Sequence, residues 1–138
     1  MSVEENKANQ MRVWEEIYNR GDFSIVPDLF DVNWVEHTPM GELIGREAFT
    51  EGTKSVRTAF PDVHVTVNDI FGEGDKVVSR ITLTGTLTGE YMGYSPTGKK
   101  LNMAAILITQ WRDGKEVEAW RENDTSSVFK QIGIPAPG

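Results

Sequence analysis

Asp113-Gly114 lies between two runs of strand-forming residues, and no other dipeptide constrains this chain as tightly. An Asp-Gly pair in that setting predicts a type I′ turn, which needs positive φ at both central residues. Lys99 to Asp124 therefore folds as one long hairpin. With a regular two-residue loop, Arg112 pairs with Lys115, Trp111 with Glu116, Leu107 with Trp120 and Met103 with Asp124. Cross-strand partners share a face and side chains alternate with period two. On that register Asp124 closes a face carrying Met103, Ala105, Leu107, Thr109, Trp111 and Trp120. A carboxylate at the end of an apolar, aromatic surface is the first place to look for chemistry.

The segments before the hairpin are helical and then extended. Val3 to Arg20 has apolar residues at three- and four-residue steps, among them Met11, Trp14, Ile17 and Tyr18, and Gly21-Asp22 ends it. A short helical turn runs from Ser24, as its cap, through Pro27 to Phe30. Asp31 to His37 is a brief strand with Val32, Trp34 and Glu36 on one side and Asn33, Val35 and His37 on the other; Thr38-Pro39-Met40-Gly41 breaks it. Arg46 to Phe60 is a third helix, stopped by Phe60-Pro61-Asp62. From Val63 the period becomes two, through a strand to Phe71, a turn at Gly72-Glu73-Gly74-Asp75, and a strand in which Val77, Ile81, Leu83 and Leu87 alternate with threonines. Gly89 to Gly98 is an aromatic-rich loop with Tyr91, Met92 and Tyr94. After Asp124, Thr125 to Ile132 is a helix, Gly133 its stop and Ile134 to Gly138 a tail.

Helices first and long antiparallel strands after predict an α+β fold, a cone with N-terminal helices packed on a strongly curved, mostly antiparallel sheet. The 138 residues suit a single domain spanning 1–138. Leu101 to Gln110 is apolar on both parities, and helices cover only one of them, so the outer sheet face predicts a homodimer. A formal net charge of −7 repels a phosphate backbone, which argues against nucleic acid. No cysteine is present, and His37 and His64 make no metal-ligand spacing, so no metal site is expected. The start is polar and acidic, unlike a signal peptide, and no apolar run approaches a membrane span, so a cytoplasmic protein is expected.

Each candidate residue has a chemical and a structural reading. Asp124 facing an apolar pocket would have a raised pKa suited to a general base, but it also stands where helix 125–132 needs an N-cap, which would lower it. His37 can polarise a carbonyl or simply bond the loop at Thr38-Pro39. Glu118 shares the parity of Asp124 and stays open; Glu122 and His64 are read as surface. Trp14, Tyr18, Trp34 and Trp120, with Tyr91, Met92 and Tyr94 of the loop and Leu107 of the strand, are candidates to enclose a flat apolar ligand, although Trp14 at helical spacing also suits plain core.

Several segments resemble a known family along nearly the whole chain and in order. They are Val35-Glu36-His37-Thr38-Pro39, Gly45-Arg46-Glu47, Ala59-Phe60-Pro61-Asp62 and Gly74-Asp75-Lys76-Val77. Thr84-Gly85-Thr86-Leu87-Thr88-Gly89-Glu90, Pro96-Thr97-Gly98-Lys99, Asp113 through Trp120, Asp124 and Gln131-Ile132-Gly133 complete them. Together they resemble the SnoaL-like polyketide cyclases of the nuclear-transport-factor-2-like superfamily. The resemblance implies a dimeric cone and cofactor-free intramolecular aldol (ester cyclase) chemistry on a polyketide-like or small apolar carbonyl compound. It also implies acid/base work by the aspartate four residues after the strand tryptophan, here Asp124, with His37 in the pocket. Strand 99–110 departs from a polar-ligand site, offering only Asn102, Thr109 and Gln110. Two other functions suit the same scaffold: epoxide hydration, for which Glu118 and Arg121 are poorly placed by parity, and a non-catalytic, dimeric small-ligand-binding module.

Overall fold

The structure is a computed structural model that describes residues 1–137; Gly138, the last residue of the expected tail, lies outside the described residues. Helix α1 (Val3–Arg12) starts on a capping box in which the Ser2 hydroxyl accepts from the Glu5 N–H at 3.1 Å and the Glu5 carboxylate accepts from the Ser2 N–H. It runs without a break into a π-helical stretch, Val13–Asn19, closed by bonds such as Arg20 N–H to the Glu15 carbonyl. The helix expected over 3–20 is thus continuous, with a widened second half that buries Val13, Trp14 and Ile17. Asp22, not Ser24, caps the turn that follows: its carboxylate accepts from the Ser24 N–H, and a 3-10 turn (Phe23–Ile25) leads into α2 (Val26–Leu29).

Strand β1 (Phe30–Thr38) is longer than its sequence pattern suggests, and the Pro39-Met40 break is a hairpin into a short edge strand, β2 (Gly41–Ile44). The Thr38 hydroxyl closes that turn, accepting from the Met40 N–H and donating to the Gly41 carbonyl. Then come α3 (Arg46–Ala59), β3 (His64–Glu73), β4 (Lys76–Thr86), β5 (Lys100–Arg112), β6 (Lys115–Asn123) and α4 (Thr125–Ile132). The sheet order is β2-β1-β6-β5-β4-β3, antiparallel except for the β1–β6 pair. Helix α1 packs on β3 and β4, α3 on β1 and β2, and α4 on β5. The expected α+β architecture is present. Among the described residues no helix is long and apolar enough to cross a membrane.

The hairpin begins as expected and then departs. Asp113 and Gly114 take φ of 52° and 80°, and the pairs Arg112–Lys115 and Trp111–Glu116 form. Gln110 then faces Glu118, which leaves Val117 as an extra residue on β6. Beyond this bulge the partners are Ile108–Trp120, Leu107–Arg121 and Ala105–Asn123. A one-residue slip exchanges the two faces of everything after it. Trp120 therefore joins the outer face, while Arg121 and Asn123 join the face under the helices. The pairings Leu107–Trp120 and Met103–Asp124 do not form.

The core beneath the helices holds tryptophans whose N–H groups are all placed on buried oxygens. Trp14 donates to the Ser79 hydroxyl, Trp111 to the Thr109 hydroxyl, and Trp34 to the Glu116 carboxyl at 2.7 Å. Thr109 donates in turn to the Gln10 side chain. Glu116 is only 3 % exposed, and its second oxygen has no hydrogen-bond partner. Burial pushes its carboxyl from 4.5 up to about 8, against the Trp34 hydrogen bond. Between those values the folded protein holds a proton that the unfolded chain releases, so this group makes stability fall as pH rises through the window. Glu116→Gln mimics the neutral acid. Its urea-unfolding free energy should decline less than that of wild type from about pH 5 to about pH 8; equal declines would mean the carboxyl is ionised in the fold.

Candidate active site

A cavity of about 230 Å³ opens between α3, α4 and the sheet. Leu43, Phe49, Phe60, Leu83, Met103 and Phe129 make most of it apolar. Pro39, Met40 and Gly52 line it while remaining exposed, which marks the mouth. Its polar lining comes from Tyr18, Glu36, Thr53, Arg121, Asn123 and Thr125. Four of these have a local cause. Alternation along β1 puts Glu36 on the same side as Trp34, the bulge turns Arg121 and Asn123 inward, and the π-helical stretch carries Tyr18.

Glu36 is the carboxyl of this lining, only 6 % exposed. Burial raises its pKa, opposed by the charges of Arg121 and, to a smaller degree, His37. Burial also raises the Tyr18 phenol, helped by the charge of Glu36 and opposed by Arg121 and Thr53. The Arg121 Nε is buried without a hydrogen-bond partner. A desolvated carboxyl can move a proton near neutral pH, and a guanidinium, an amide and a phenol can hold an oxygen on which charge develops.

The residues picked from the sequence are distributed differently. Asp124 is exposed and caps α4, its carboxylate accepting from the Ser127 N–H at 3.0 Å; it is not part of the cavity wall, although Asn123 and Thr125 on either side of it are. His37 follows Glu36 and so faces outward, sharing no face with Trp34. Trp120 stacks on it at 5.7 Å between ring centroids, a consequence of the bulge. Tyr18 and Tyr91 line the cavity. Trp14 is core, and Trp34 and Leu107 lie deeper, around a small void behind the cavity. Met92 and Tyr94 are exposed on a tight turn closed between Tyr91 and Tyr94, with Met92 at φ 51°. His64 and Glu122 are exposed. Glu36, Arg121 and Asn123 were missed. Glu36 had a signal, its shared parity with Trp34, whereas Arg121 and Asn123 had none, because nothing in the sequence marks the bulge.

The outer cluster has its own electrostatics. His37 Nε2 lies 2.6 Å from the Glu118 carboxylate and Nδ1 lies 2.8 Å from that of Glu42. The Glu118 hydrogen bond is the main reason its pKa is raised above 6.5; desolvation opposes and the charge of Glu42 adds. In a nitrogen-15 NMR titration Glu118→Gln should lower the His37 midpoint more than Glu42→Gln does. An unchanged midpoint in both variants would mean that the carboxylates are not bonded to the ring in solution.

Among the described residues no group of three or more His, Cys, Asp or Glu side chains could hold a metal ion. Comparison with known proteins places the chain in a family. The chain is 27 % identical over 128 residues to the aklanonic acid methyl ester cyclase DnrD of Streptomyces peucetius, covering 88 % of this chain and 87 % of that one. The structure of IdmH from Streptomyces antibioticus superposes with a TM-score of 0.79 at 28 % identity, covering 94 % of this chain and 99 % of that one. A SnoaL-like structure from Jannaschia sp. CCS1 superposes with a TM-score of 0.86, over 96 % of this chain and 94 % of that one; at 21 % identity it speaks for the fold alone. The model of the SnoaL-like polyketide cyclases matches residues 8–132, and the chain belongs to that family.

Proposed function

We propose that this chain is a cyclase-type enzyme that works by cofactor-free acid/base catalysis on a small carbonyl compound, with Glu36 as the acid/base. The observation that carries this reading is the buried carboxyl of Glu36 on the same lining as Arg121 in a mostly apolar cavity. In the reaction, the Glu36 carboxylate removes a proton α to a carbonyl. The C–H electron pair moves to the carbonyl oxygen, and the Arg121 guanidinium and Asn123 amide hold the enolate. The enolate carbon attacks a second carbonyl of the same molecule, and the resulting alkoxide takes the proton back from Glu36. A relative named as a methyl ester cyclase suits this reaction class. Tyr18 and Tyr91 enclose the ligand.

The reading keeps the 138 residues as one domain. It also keeps a cytoplasmic homodimer joined through the outer sheet face, where Ile106 and Ile108 are 48 % and 37 % exposed. Epoxide hydration gains from Arg121, which the bulge delivers to the pocket. It still lacks a second carboxylate, Glu36 being the only one that lines the cavity among the described residues. A binding module without catalysis gains from Asp124 being a cap.

Hydrogen–deuterium exchange at the α carbon of β-dicarbonyl esters separates these readings. Glu36→Gln should slow it by roughly 10²–10⁴-fold with folding intact. Asp124→Asn keeps a good cap and should leave it unchanged. The reverse pattern would return the role to Asp124, and no exchange by wild type would favour the binding module.

A further inference from the structure

We infer that the cavity selects a ligand of one or two rings bearing an oxyanion, an enolate or a phenolate, and that Arg121 is the residue that selects it. The inference rests on the cavity being the reaction site and adds the class of compound it takes.

Size supplies the first half. An apolar cavity of about 150 Å³ holds one benzene ring, and pockets for drug-sized ligands measure about 300–1,000 Å³. At about 230 Å³ the enclosed part of this cavity matches one ring with substituents or two fused rings. Its walls are held by the core: Phe60, Leu83 and Phe129 are buried in the cluster that also holds Trp14 and Ile132, so widening it would disturb close packing.

Charge supplies the second half. The Arg121 side chain forms no ion pair among the described residues, and its Nε is buried with no hydrogen-bond partner. A buried guanidinium N–H left unpaired is costly, and a neutral apolar ligand would seal it off from water without supplying an acceptor. A cationic ligand would be repelled. The one carboxyl on the same lining, Glu36, makes no ion pair with it, so the guanidinium has no direct anionic partner among the described residues. A ligand oxyanion supplies both the acceptor and the missing charge, and a guanidinium bonds it more strongly than a neutral oxygen. Asn123 lies two residues along the same face of β6 and offers a second donor.

The test is direct binding of ring compounds whose colour reports ionisation. The probes are para-nitrophenol, a nitronaphthol with its nitro group para to the hydroxyl, the methyl ether of that nitronaphthol, and alizarin with three fused rings. Wild-type protein should bind the nitrophenol and the nitronaphthol as yellow phenolates, with their ionisation midpoints lowered on binding. The ether should bind about ten- to a hundredfold more weakly than the nitronaphthol, and alizarin should show no saturable binding. Arg121→Met should make the nitronaphthol and its ether bind alike, and Arg121→Lys should restore part of the preference. If the methionine variant does not fold, the wild-type comparison of nitronaphthol with ether still decides.

Equal binding of the ether overturns oxyanion selection, and alizarin bound as tightly as the nitronaphthol overturns the size limit. None of these arms reads turnover. Loss of the proposed reaction, seen as unchanged exchange in Glu36→Gln, is therefore distinguishable from loss of this inference.

Discussion

The extra residue at Val117 decides what the cavity contains. A hairpin without it would place Trp120 under the helices and Arg121 on the outer surface, because a single-residue slip in a strand exchanges its faces. With it, β6 presents Arg121 and Asn123 to the cavity and sends Trp120 out to stack on His37. Only the pairing near the turn, up to Trp111–Glu116, is that of a regular hairpin. The β6 residues that line the cavity, Arg121 and Asn123, lie beyond that point.

The same strand faces organise the charges of β1. Glu36 and His37 are adjacent in sequence but belong to separate environments on opposite sides of one sheet. The inner carboxyl loses water and resists ionisation, while the outer imidazole gains two carboxylates that favour its charged form. Glu116, deeper under the helices, follows the inner logic more strongly, with one oxygen bonded to Trp34 and the other unmet. Two buried carboxyls and an arginine under one set of helices are expensive to desolvate and reduce stability, which is common where a site rather than a core shapes the packing.

Much of the architecture was legible in the sequence for local reasons. The turn at Asp113-Gly114, the period-two strands, the helix stop before Pro61 and the cap at Asp124 each depend on a few neighbouring residues. The capping reading of Asp124, weighed against a catalytic one, is where its side chain is found: a residue directly before a helix has unpaired N–H groups within reach whatever the rest of the fold does. Of the candidate pocket residues, Tyr18 and Tyr91 reach the cavity; Trp14, Trp34 and Leu107 serve the core, and Trp120, Met92 and Tyr94 lie elsewhere.

The sequence by itself thus determined the elements other than β2, their order, the α+β class and the family, because these follow from short-range turn, cap and periodicity preferences and from motifs in register along the chain. Only the tertiary structure decided which side chains meet. The bulge at Val117 arises where β6 must pair with β5 on one side and with β1 on the other, a condition that no window of β6 records. Glu36 became a buried acid only once α3 and the β1–β2 hairpin closed over it. Burial and face are properties of the assembled sheet, and they place Glu36 and Arg121 in the cavity and keep His37 and Asp124 out of it.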